Sequence, residues 1–172
     1  MKTVGVLGAG PHGQEIAARV LGDEVMLFDD NLPGYPPVDK WFGAYVIGAA
    51  WPHVRRQIAA KAKGSPLDGT GIVLFPGSYV SPSASLGIHT HVGVNAVVSH
   101  GCRVGDFVQI CAGAVLGGEV TVGDGVFIGM NVSILHGGIT VGDDAVIGAG
   151  AVVTRDVKQG ATVAGVPARE VG

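Results

Sequence analysis

The sequence of 172 residues predicts two units in series, a small parallel α/β unit followed by a parallel β-helix. Three observations carry that prediction. From Val80 onward an aliphatic residue returns every six positions, with a small or β-branched residue four places after it. Glycine is abundant, 30 of 172 residues, and recurs in the slot behind the aliphatic one, as the corners of a tight coil require. Ahead of the repeats, short apolar strands alternate with helical segments, the pattern of a parallel sheet.

The first unit is read as residues 1–75. Thr3 to Leu7 is an apolar strand. Gly8-Ala9-Gly10-Pro11-His12-Gly13 follows as a G-x-G-x-x-G loop. A helix is expected over Gln14 to Leu21 and a second strand over Glu24 to Phe28, closed by Asp29-Asp30. Asn31 to Gly43 reads as a Pro-rich loop. Ala44 to Ile47 is a third strand ending at Gly48. Pro52 to Lys63 is a second helix with proline at its start. Gly71 to Phe75 is expected as a fourth strand. A glycine loop between strand and helix suits phosphate binding, and an acidic pair at the end of the second strand suits a ribose. The same loop also serves as a plain tight turn. No second mononucleotide half follows, which argues against a nicotinamide cofactor.

The second unit is read as 76–172. Val80, Leu86, Val92, Val98, Val104, Ile110, Leu116, Val122, Ile128 and Ile134 open successive units. They should point inward together with Ala84, Thr90, Ala96, Cys102, Val108, Ala114, Val120, Val126 and Val132. Three units, eighteen residues, close one triangular coil, and each coil needs neighbours to bury its edges. After Ile134 the period slips by one residue and resumes at Val141, Ile147 and Val153, so a small loop should leave a corner between His136 and Thr140.

Composition excludes several classes. A net charge of −3 gives no electrostatic case for nucleic acid or an anionic membrane surface. No stretch has transmembrane length, and the N-terminus lacks the shape of a signal peptide, so a cytoplasmic location is expected. Cys102 and Cys111 have no metal spacing, and Cys102 occupies an inward slot as a small core residue. Asp106, Asp124 and Asp143 recur in Val-Gly-Asp corners, the mark of turn chemistry. His89, His91, His100 and His136 all fall in the coils and are expected at surface corners. His100 and His136 stand two coils apart in one column, roughly 10 Å at the usual strand spacing, too far to share one metal.

The chain resembles the hexapeptide-repeat nucleotide-sugar acetyltransferases, the family of bacillosamine, perosamine and sialic acid acetyltransferases. The resemblance rests on Gly8-Ala9-Gly10-Pro11-His12-Gly13, Phe28-Asp29-Asp30, Val46-Ile47-Gly48 with Arg55-Arg56, and Ser81-Pro82-Ser83-Ala84. It continues through Asn95, Ser99-His100-Gly101-Cys102-Arg103-Val104-Gly105-Asp106 and Ala164-Gly165-Val166-Pro167-Ala168-Arg169. It implies a Rossmann-like N-terminal half domain and a left-handed β-helix working as a homotrimer with acetyl-CoA and no metal. It implies that His100 is the general base. Gly10, Pro11, His12, Asp29, Asp30 and Gly48 would hold the nucleotide-linked amino sugar, and Gln109, Gly118, Met130 and Ala149 would meet acetyl-CoA. Two departures stand out. Gly101 takes the place of the acidic residue that many members carry after the histidine, and Gln109 that of a histidine. Acetylation of a sugar hydroxyl, and a non-catalytic nucleotide-sugar scaffold, remain as alternatives.

Overall fold

The computed structural model describes residues 3–8, 10–17, 24–28, 34, 37, 44–62, 65, 66 and 70–171. Two compact units divide at Val73 and Leu74.

The first unit has a four-stranded parallel sheet. Its strands are β1 (Thr3–Leu7), β2 (Glu24–Phe28), β3 (Ala44–Ile47) and β4 (Ser65–Pro66), in spatial order β2-β1-β3-β4. Helices α1 (Pro11–Ala17) and α2 (Pro52–Lys61) fill two of the connections. Leu7, Tyr45 and Ile47 form its core, with Ile58, Ala59 and Ala62 of the α2 side packed on them. The helix expected from Gln14 begins three residues earlier, at Pro11. Proline is at home in a first helical turn, where its missing N–H costs nothing. The fourth strand is also placed differently. Ser65–Pro66 takes the sheet edge beside β3, whereas Val73–Leu74 is a strand in a wall of the solenoid.

The second unit is a parallel β-solenoid. Two-residue strands stack into three walls. Ser85–Leu86, Arg103–Val104, Thr121–Val122 and Thr140–Val141 make one wall. Tyr79–Val80, Val97–Val98, Val115–Leu116, Ser133–Ile134 and Val152–Val153 make another. His91–Val92, Gln109–Ile110, Phe127–Ile128 and Val146–Ile147 lie in the third. Partners are eighteen residues apart up to the slip, as in Arg103↔Thr121, and nineteen across it, as in Thr121↔Thr140. The slipped residue leaves the walls in register because it is absorbed at one corner, 136–138. The inward slots form one continuous core, with Val92, Val98, Ile110, Leu116, Ile128 and Ile147 fully buried. Stacking then buries what no coil could bury alone.

Glycine does two different jobs at the corners, and the sequence reading had merged them. Backbone in the left-handed region occurs at Gly77 and then at every sixth residue from His89, through Asn95, Gly101, Phe107, Gly113, Glu119 and Gly125 to Asn131. Several of those positions are not glycine. The second-slot glycines are not left-handed; they are small because the next coil lies against them. A Cβ at Gly93 would stand 2.7 Å from Ala112 N, and one at Gly117 2.8 Å from His136 Cα.

Candidate active site

His100 lies on an exposed corner, and its imidazole rests on the next coil at Gly118. A Cβ placed on Gly118 would lie 2.5 Å from His100 Nε2 and 3.1 Å from Nδ1, with Cε1 also against it. Only glycine lets the ring lie there. The register Val98↔Leu116↔Ile134 puts residues 100, 118 and 136 in one column, so His136 follows Gly118 on the far side from His100. The two histidines therefore do not meet. Among the described residues no group of three or more His, Cys, Asp or Glu side chains could hold a metal ion.

The backbone N–H of Gly118 is the feature of this corner that the repeats explain. In the Val-Gly-Asp column each such N–H is closed by a carboxylate one coil on. Ile88 N donates to Asp106 Oδ1 at 2.9 Å, Asp106 N to Asp124 Oδ1 at 2.8 Å, and Asp124 N to Asp143 Oδ1 at 2.9 Å. In the column of His100 the residue one coil beyond Gly118 is His136, so no aspartate closes that N–H. The same is true of Met130 and Ala149 in the third column. None of these three N–H groups makes a backbone bond among the described residues. Gly118, Met130 and Ala149 share this open donor with Val94 and Ala112, whereas Gln109 N donates to Val126 O at 2.9 Å. The aspartates themselves are turn residues.

Beside His100, Gly101 is left-handed (φ 67°), and a Cβ there would stand 3.3 Å from Glu119 Cγ. Glu119 is exposed and sits one coil on from Gly101, with its N–H donated to the His100 carbonyl at 2.9 Å. A carboxylate is therefore present in the neighbourhood, carried by the next coil and not by the residue after the histidine. Spacing alone did not point to Glu119, because residues 101 and 119 become neighbours only through the eighteen-residue register.

Gln109, Met130 and His136 end in different surroundings. Gln109 is buried at the outer side of a wall, in register with His91 below it and Phe127 above it, and its side-chain amide donates to the Ile110 carbonyl at 3.4 Å. Met130 is more than half exposed. His89 and His91 correct the expectation of surface histidines, since both are buried. His89 adopts a left-handed corner conformation and stacks its ring on Phe107, centroids 5.1 Å apart. A six-residue period says which side chains enter the coil; it cannot say what covers those pointing out.

In the first unit, three glycines meet where no side chain fits. A Cβ on Gly13 would overlap the Gly8 carbonyl oxygen, and one on Gly48 would overlap Gly13 Cα and stand 2.6 Å from Gly8 O. Gly48 N donates to Leu7 O at 2.7 Å. Gly10 differs: a Cβ there would meet nothing within 4 Å. Within G-x-G-x-x-G, then, Gly8 serves a left-handed backbone (φ 93°), Gly13 serves packing, and the middle glycine faces open space. Pro11 is exposed and His12 half-buried at the start of α1. The buried Arg55 of α2 donates Nη1 to the carbonyls of Ala49 and Ala50, both at 3.0 Å, and so holds the turn after β3. Asp29 and Asp30 lie outside the described residues.

Comparison with known proteins follows from this geometry. A model for the hexapeptide repeat of succinyl-transferase matches residues 84–117 and 119–155, and one for the bacterial transferase hexapeptide matches 101–136. The acetyltransferase domain of PglB from Neisseria gonorrhoeae, solved with acetyl coenzyme A, superposes with a TM-score of 0.81 at 28% identity, covering 99% of both chains. The solenoid thus carries the hexapeptide repeats of bacterial transferases over residues 84–155. A histidine-to-alanine mutant of GDP-perosamine N-acetyltransferase from Caulobacter crescentus, in complex with CoA and GDP-perosamine, gives 0.75 at 25% identity, covering 100% of this chain and 98% of that one. Serine acetyltransferase of Mycobacterium tuberculosis is 35% identical over 146 residues, 80% of this chain and 62% of that protein. The Bacillus pumilus serine acetyltransferase is matched over 49% of its length. The chain thus spans about half to three fifths of the length of those two relatives. Among solved structures, soybean serine acetyltransferase covers 55% of this chain, with a TM-score of 0.52. Among the described residues no helix is long and apolar enough to cross a membrane.

Proposed function

We propose that the chain transfers acetyl from acetyl-CoA to the amino group of a nucleotide-linked amino sugar. The observation that carries this reading is the corner where His100 lies over Gly118 beside an N–H that the aspartate ladder leaves open. That corner offers a base and an oxyanion donor side by side. The likeness to the PglB domain and to GDP-perosamine N-acetyltransferase runs through the first unit as well as the solenoid, which supports a sugar nucleotide as acceptor.

In the reaction the acceptor nitrogen attacks the thioester carbonyl carbon. A C–N bond forms, and His100 takes the proton the nitrogen loses. The carbonyl oxygen gains negative charge, and the Gly118 N–H receives it. The C–S bond then breaks, and CoA leaves as a thiol after taking up a proton. Gln109, Met130 and Ala149 would line the path of the acyl carrier, where the N–H groups of Met130 and Ala149 suit its amides. Gly10, Pro11, His12 and Gly48, with Asp29 and Asp30, would hold the nucleotide in a Rossmann-like half domain. Left-handed coils and a homotrimer with the site between adjacent solenoids complete the proposal.

The serine acetyltransferase matches favour a second reading, a hydroxyl acceptor activated by the same histidine. Turnover of acetyl-CoA on a panel of nucleotide amino sugars, hydroxyl-bearing sugars and serine separates the two, with product mass and NMR fixing the acetylated atom. Acetylation of serine alone would overturn the first reading.

A further inference from the structure

Cys102 is fully buried in an inward slot, two residues from His100. Its thiol donates to the Gly117 carbonyl oxygen, Sγ to O 3.1 Å. A trans peptide is planar, with its C=O and N–H pointing opposite ways. A bond that draws the Gly117 carbonyl into the coil therefore turns the Gly118 N–H outward, to the side where the His100 ring rests. From this geometry, and resting on the acetyl-transfer reading above, we infer that Cys102 is a positioning residue which fixes the Gly117–Gly118 peptide as the oxyanion donor.

A second inward slot shows that the contact is a device of the fold. Thr90, also in an inward slot, donates its hydroxyl to the Gly105 carbonyl at 2.8 Å, across the same fifteen-residue separation. There the peptide is fixed twice, since the following N–H, that of Asp106, is also bound by Asp124. At Gly118 no carboxylate holds the N–H side, so the thiol is what sets the plane of the peptide. Burial raises the Cys102 thiol above its ordinary pKa, against smaller lowering contributions from the backbone at Val120, Ser99 and Glu119, and so keeps it protonated as a donor at neutral pH.

The test compares Cys102→Ala with Cys102→Ser. Both should fold, because Ala96 and Ala114 fill the equivalent slot one unit before and two units after, and Thr90 shows that a hydroxyl fits such a slot. Cys102→Ala should lower kcat about 5- to 20-fold, less than the loss of an oxyanion donor outright, with the KM for acetyl-CoA unchanged. Cys102→Ser should return kcat to within about twofold of the parent, since it restores a donor. A void alone would not be rescued by serine. Independently of turnover, the Gly118 amide in 15N-glycine-labelled protein should shift on adding acetyl-CoA to the parent and Cys102→Ser, and much less in Cys102→Ala. Equal kcat for parent and Cys102→Ala would overturn the inference. So would a Cys102→Ser variant as slow as Cys102→Ala, or a Gly118 amide indifferent to acetyl-CoA. If acetyl-CoA moves that amide while no acceptor on the panel is acetylated, the acceptor reading fails and the inference about Cys102 stands.

Discussion

Replacing Gly118 by alanine puts one methyl group under the His100 ring. The new Cβ would stand 2.5 Å from Nε2, whereas ordinary van der Waals contact begins near 3.4 Å, so the ring has to withdraw by about 1 Å. It has room to do so, because His100 is exposed. The backbone at 118 is not left-handed, so alanine adds no conformational strain of its own there. The fold should therefore keep its Tm within about 3 °C, the shift expected for less than roughly 1 kcal/mol in a chain of this size. Chemistry is less forgiving. A base displaced by 1 Å from its proton costs about 10²-fold in rate. Steady-state release of CoA thiol, read with a thiol reagent at saturating acceptor, measures kcat directly. We expect a fall of about 100-fold beside an unchanged melting curve. A Gly118→Ala chain that turns over within about threefold of the parent would refute the role given to the ring's seat.

Further outcomes follow from other parts of the structure. His100→Ala should lower kcat by about 10²–10⁴ while leaving acetyl-CoA binding near normal, and His136→Ala should stay active; the reverse pattern in the same assay would move the base to His136. Gly10→Val should raise the acceptor KM and spare that for acetyl-CoA, because open space surrounds residue 10, whereas Gly13→Ala should destabilise the first unit by about 3 kcal/mol in denaturant unfolding, since its Cβ overlaps the Gly8 carbonyl. Sedimentation at micromolar concentration should give a trimer, and a stable monomer would remove the shared site. The contribution of Cys102 to stability should be constant around neutrality and fall above about pH 9 as the unfolded chain's thiol ionises while the buried, raised Cys102 stays protonated; Cys102→Ser should lose part of that alkaline decline in thermal melts from pH 7 to 10.

The repeat made the solenoid legible because each inward slot answers to the same requirement, an apolar side chain facing the coil axis. Val92 through Val153 obey it, and the slip after Ile134 shows itself as a loop at the expected corner. The first unit was read less closely. Pro11 starts a helix inside the G-x-G-x-x-G pattern, and the edge strand is Ser65–Pro66, a pair with no apolar alternation to betray it. At the site, His100 and Gly118 came from the resemblance, and the structure adds why they belong together. The buried state of His89 and His91, the proximity of Glu119 to Gly101, and the thiol on the Gly117 carbonyl all depend on which residues lie one coil apart or over the outer face. Such relations appear only when the register is drawn.

The corner at 136–138 has a consequence for how such a chain diversifies. The pairings that span it tolerate nineteen residues as well as eighteen, and side chains at Gly137 and Gly138 would meet nothing. Insertions and deletions there are invisible to the core, although Gly137 (φ 107°) and Gly138 (φ 76°) are held to glycine by their backbone, and the loop directly follows His136, in the column of His100 and Gly118. The part of the molecule best placed to change which acceptor is admitted is therefore the part that folding polices least. New specificity could arise by lengthening one hairpin-sized corner while the walls, the base and the oxyanion donor stay as they are.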